Sequence, residues 1–95
     1  MAEITISRAN ASDGWVLTVR VAEGNNATEH RVSLSRDYHV KLTQGYATPE
    51  QLVEASFHFL LKRESKESIL RSFEMPVIAH YFPEYEQRIG SYLPE

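Results

Sequence analysis

"TPEQLVEASFHFLLKRE", residues 48–64, is the stretch that decides how this chain folds. It opens with the signals of a helix start. Thr48 stands as N-cap, Pro49 takes the first helical position, where its missing N–H costs nothing, and Gln51 follows the cap by three residues. At 100° per residue, Leu52, Val53, Ala55, Ser56, Phe57, Phe59, Leu60 and Leu61 spread over an arc of about 240°. Gln51, Glu54, His58 and Lys62 fill the remaining sector. A surface helix needs an apolar stripe little wider than about 100°. This helix must therefore be covered on more than one side.

The first third of the chain supplies one cover. Ile4 and Ile6 alternate with Thr5 and Ser7, the period of two that puts both isoleucines on one face of a strand. After the turn cluster "NASDG" comes "WVLTVRV", in which Trp15, Leu17, Val19 and Val21 share one side. "EGNNA" marks a second turn, with Gly24 and two asparagines that tolerate positive φ. "HRVSLS" then sets His30, Val32 and Leu34 against Arg31, Ser33 and Ser35. Three short runs joined by short polar turns predict an antiparallel meander with one apolar and one wet face. Such a small sheet needs an element packed on its apolar face.

The rest of the chain offers short helices for the other side. "RDYHVKLT" can form one, with Tyr38 and Leu42 on a common side. Ser65 can cap another carrying Ile69, Leu70 and Phe73. Pro76 can start a third with Val77, Ile78 and Tyr81, and Pro83 a fourth in which Tyr85, Ile89 and Tyr92 recur at i, i+4 and i+7. Within "HYFPEYEQRI", residues 80–89, Tyr81, Phe82 and Tyr85 crowd around a proline. They have two readings. They can clip the short helices onto the central one, with Phe82 packing back across the first turn as a hydrophobic staple does. They can also present a surface to a partner or to a second copy, because a tyrosine keeps one wet end even when its ring is covered. A homodimer using part of the helical half, with Tyr81, Phe82 and Tyr85 at or near its interface, is the expectation for assembly.

Composition bounds the function. Ninety-five residues suit one domain, residues 1–95, with strands over about 3–35 and helices over about 37–92. A 42% hydrophobic share is that of a globular chain, and disorder would need less. There is no cysteine, which removes disulfides, thiolate metal sites and thiol nucleophiles together. No apolar run approaches the roughly 18 residues of a membrane span, so no membrane and a cytoplasmic location are expected. Lysine and arginine number 10 against 13 aspartates and glutamates, and the acidic excess lies after residue 47. No basic stripe stands out, so nucleic acid is an unfavoured partner.

Chemical motifs are sparse. His30, His39, His58 and His80 show no H-x-x-x-H spacing, so no metal or other cofactor is expected. His58 falls in the polar sector of the central helix, and His30 reads as an edge or half-buried residue of its strand. The serines form no G-x-S-x-G elbow, and the four glycines are isolated, so no phosphate loop is present. Glu84 and Glu86 are two apart on a helix and point in different directions. No residue stands out as catalytic, and the expectation is that the chain is not an enzyme.

Two resemblances add to this. "HRVSLSRDYHVKL" followed by "TPEQLVEASFHFLLKRE" runs strand, short helix, longer helix, and about half the chain thereby resembles the ribbon-helix-helix module of bacterial repressors and antitoxins. That resemblance implies a DNA-binding transcriptional regulator in which Arg31, Ser33 and Ser35 enter the major groove. Over residues 31–89, "TPEQLVEASFHFLLKRES", "ESILRSF", "VI" and "YFPEYE" together look like a group of small uncharacterised prokaryotic proteins, which implies a prokaryotic origin and no particular chemistry.

The sequence thus predicts an α+β fold: a three-stranded antiparallel N-terminal meander packed on a central helix, with short C-terminal helices closing the far side. The function it favours is a small non-enzymatic interaction or adaptor protein, with a DNA-binding regulator of antitoxin type as the alternative. If the wide apolar arc is covered on opposite flanks, truncating Phe57 or Phe59 to alanine costs about 3–5 kcal/mol each. Thermal melts of the two variants check this, and two wild-type midpoints refute it.

Overall fold

The computed structural model describes residues 2–94. The chain is α+β. Strands β1 (Glu3–Ala11), β2 (Gly14–Glu23) and β3 (Asn26–Ser35) form the expected antiparallel meander, followed by helices α1 (Arg36–Thr43) and α2 (Pro49–Leu61). A short strand β4 (Ser72–Glu74), helices α3 (Pro76–Tyr81) and α4 (Tyr85–Arg88), and a single 3-10 turn (Ile89–Tyr92) complete it. The sheet, in the order β1-β2-β3-β4, is mixed: β4 runs parallel to β3, pairing Ser72, Phe73 and Glu74 with Arg31, Val32 and Ser33.

The sheet has four strands among the described residues, not three. The stretch around Ile69, Leu70 and Phe73 is a run of turns leading into β4, and no helix starts at Ser65. The physical reason lies in β3. Its outer edge carries backbone groups that need partners. Arg31 N–H donates to the Arg71 carbonyl at 2.7 Å, and Met75 N–H donates to the Ser33 carbonyl at 2.9 Å. Isolated short helices have little stability of their own, and edge pairing prevails over local periodicity here.

The hairpin turns are set by backbone geometry. Gly24 holds φ +62° as the first of two turn residues between Glu23 and Asn26, as a type II′ turn requires. Gly14 serves a different need. It is the first residue of β2, opposite Ala11 on one side and Ser35 on the other. A Cβ there would lie 2.0 Å from the Leu34 carbonyl oxygen, so only glycine lets the backbones approach so closely.

Helix α2 begins as its sequence specifies. The Thr48 hydroxyl accepts from Gln51 N–H at 3.0 Å, and Thr48 N–H donates to the Gln51 side chain at 2.8 Å. The four residues of the polar sector, Gln51, Glu54, His58 and Lys62, are all exposed, and seven of the eight arc residues are buried, with Leu61 half-buried. Phe57 meets His30 of β3 edge-on at 5.2 Å between ring centroids and Phe73 of β4 at 6.2 Å. Phe59, turned about 160° away around the helix, meets Phe82, Tyr85 and Tyr92 edge-on at 6.0, 5.2 and 5.8 Å. Tyr85 and Ser56 satisfy each other in the interior at 2.6 Å, while Ser56 donates to the Leu52 carbonyl at 2.7 Å, so the tyrosine hydroxyl is the donor of the pair.

Gly14→Ala is expected to lose about 1–3 kcal/mol by overpacking against the β3 backbone. Gly90→Ala, where the added methyl meets nothing within 4 Å, stays near wild type. Urea unfolding of both variants checks the contrast.

Candidate functional site

Where α2 ends, the chain leaves an apolar recess open. Leu60 in the last turn of α2, and Glu64 one turn beyond it, form one wall; the Glu64 N–H still donates to the Leu60 carbonyl at 2.9 Å. Val77, Ile78, Tyr81 and Phe82, from α3 and the residue that caps it, form the opposite wall. Ser68, Ile69, Leu70 and Phe73 close the third side, leaving a cleft of about 480 Å³. Ligand sites of globular proteins run from about 300 to 1,000 Å³ and are mostly apolar with a few placed polar groups. At the rim two large apolar side chains face solvent, Leu70 at 47% and Tyr81 at 62% exposure.

Several anchors hold this rim. His30, which the sequence suggested as half-buried, is only 1% exposed because β4 and the preceding turns cover its edge. Its Nδ1 lies 2.8 Å from the Leu70 carbonyl, which can only accept, so Nδ1 carries the proton. Nε2 of the neutral ring then accepts from the Thr28 hydroxyl at 2.8 Å. Loss of water around the ring, the largest effect, and nearby Arg71 both push the His30 pKa below its ordinary value; the Leu70 bond opposes them. Lys66, with its side chain only 5% exposed, pins the same segment through Glu67 at 2.8 Å and Glu23 at 3.5 Å.

The residues singled out by sequence do not all reach this surface. Tyr81 and Phe82 line the cleft, Tyr81 at its exposed rim and Phe82 also against Phe59. Tyr85 is fully buried and hydrogen-bonded to Ser56, so it closes the core and is not part of a docking surface. The 160° offset between Phe57 and Phe59 explains this, because the second flank of α2 needs a large ring to fill it. Arg31 and Ser33 are exposed on the outer sheet face, while Ser35 is half-buried and caps α1, its hydroxyl accepting from Tyr38 N–H at 3.1 Å. β3 is paired on both sides, with β2 along its length and with β4 at Arg31, Val32 and Ser33. A two-stranded β-ribbon formed with a second copy needs a free strand edge, which this stretch of β3 lacks.

Sequence reasoning missed Glu64 and Leu70. Glu64 had a usable signal, since it follows Leu60 by four residues and thus extends an apolar face with a charge. Leu70 had none, because its exposure depends on β4. Elsewhere some ionisable side chains are tied into the scaffold: Glu86 accepts from the Tyr38 hydroxyl at 2.8 Å and pairs with Lys41 at 3.2 Å, and Arg8 pairs with Glu50 at 3.2 Å. No helix among the described residues is long and apolar enough to cross a membrane. Comparison of the chain with family models, with curated proteins and with solved structures finds no match.

The lowered His30 pKa has a definite sign. The unfolded chain takes up a proton near pH 6.5 and the folded chain resists it, so stability is greatest above that pH and falls as acid is added. Glu64 acts oppositely: burial raises its carboxyl above 4.5, so acid relieves the fold there. The difference between variants isolates the histidine. Wild-type midpoints are expected to drop more between about pH 7.5 and 5 than those of His30→Gln. Parallel melting curves across that range refute it.

Proposed function

We propose that this chain is a small, non-enzymatic interaction module that docks a protein partner in the cleft between the end of α2 and α3. Its scaffold is the sheet covering one flank of α2 and the short C-terminal helices covering the other, so the cleft stands on elements fixed by the core. The observation that carries this is the exposed pair Leu70 and Tyr81 at the rim of a largely apolar recess. Contiguous apolar surface of this kind marks interaction sites, whereas scattered exposed residues do not. The partner-surface residues expected from sequence narrow to Tyr81 and Phe82. A prokaryotic cytosolic setting is consistent with the chain's lack of cysteine.

A photo-crosslinking side chain placed at Tyr81 is expected to capture a discrete partner in native host cells, and one placed at Thr18, on the opposite sheet face, is not. Equal capture from both positions, or none from Tyr81 in a folded protein, overturns the docking surface.

A further inference from the structure

Glu64 stands out within the cleft. It is half-buried beside Leu60, and among the described residues it has no ion-pair partner. The chain places three cations within two residues of it, and each is turned elsewhere. Arg63 bonds Glu84 at 3.3 Å and the Phe59 carbonyl at 3.1 Å, with its guanidinium 3.7 Å from the Phe59 ring centroid. Lys66 is taken by Glu67 and Glu23, and Lys62 lies over the Tyr92 ring at 5.1 Å. A carboxylate on an apolar wall loses hydration and gains nothing in return unless a cation arrives. The raised carboxyl pKa reports the same penalty, with burial as its cause. Tyr81 and Phe82 across the cleft add aromatic rings, a residue type that also attracts cations, though more weakly than a carboxylate.

Resting on the docking role proposed above, we infer that the cleft's occupant is a short segment of a partner protein that presents one or two apolar anchors beside a lysine or arginine, the cation being received by Glu64. The apolar anchors fill the space between Leu60, Ile78 and Leu70. The basic side chain lays its aliphatic stem along the same walls, as such side chains do on apolar surfaces, and ends at the carboxylate. Selectivity comes from the charge, because a segment carrying an acidic residue at that position would set two carboxylates together in a partly dry site.

The test uses a random peptide library displayed on phage, selected against the full chain and, in parallel, against Glu64→Gln. Peptides enriched on the wild type are expected to pair apolar residues with a lysine or arginine, and those enriched on Glu64→Gln to keep the apolar residues without the basic one. A selected peptide made synthetically should bind Glu64→Gln roughly tenfold more weakly, and its affinity should fall with added salt. Apolar enrichment with no basic preference overturns the role of Glu64 and leaves the docking surface standing. Enriched peptides that bind a Leu70→Ser, Tyr81→Ser double variant as well as wild type sink the docking surface itself. A concentration-dependent dimer that this double variant abolishes would make a second copy the occupant and overturn the inference of a separate partner.

Discussion

The fold depends on one constraint: a single helix that is apolar over two thirds of its circumference. Phe57 and Phe59 are only two residues apart, yet a 100° step per residue sends them to opposite flanks of α2. Each demands a different cover. The sheet cannot wrap around a helix, so it takes Phe57 through His30 and Phe73. The other flank falls to Phe82, Tyr85 and Tyr92, which reach Phe59 from three separate short pieces of chain. None of those pieces is long enough to be stable as an isolated helix. They hold their shape because Phe59 gives them a common contact.

The same logic explains the segment between α2 and β4. A meander of three strands ends with one edge of β3 unpaired, and buried backbone groups must find partners. The chain returns along that edge as β4, and His30 becomes an interior residue whose ring must be satisfied on both nitrogens. It is satisfied by Thr28 on its own strand and by the Leu70 carbonyl on the returning segment. The backbone of Leu70 is thereby bound inward while its side chain is left outward. The exposed rim of the cleft follows from how the sheet is completed.

This division also governs what could be read from sequence. The turns of the meander, the cap of α2 and the breadth of its apolar arc are local features, encoded in residues a few positions apart, and all were legible. Gly14 was legible as a glycine in a turn cluster but not in its actual role, because the Leu34 carbonyl it accommodates lies across the sheet. β4 was not legible. Three residues carry no period, and the spacing of Ile69, Leu70 and Phe73 imitates a helix. The crowding of Tyr81, Phe82 and Tyr85 was legible with its two readings, clip and surface, but not which ring takes which, because a buried and an exposed tyrosine look alike until the opposite wall is known. Glu64 was not singled out, since its isolation depends on where Arg63, Lys66 and Lys62 turn.

Tyr81 and Phe82 are neighbours in sequence with different duties, and this makes the cleft separable from the fold only in part. Tyr81 is largely in solvent, and the ring nearest it in the structure is that of His80, at 5.6 Å. The core does not need it. Phe82 presents one side to the cleft and the other to Phe59, at the centre of the aromatic cluster that holds the C-terminal pieces in place. Any shift of Phe82 would therefore be felt at its contact with Phe59. Close-packed interiors transmit such displacement because they contain little free space to absorb it. Phe82 thus belongs both to the cleft wall and to the aromatic cluster around Phe59, while the side chains of Leu70 and Tyr81 stand exposed at the rim.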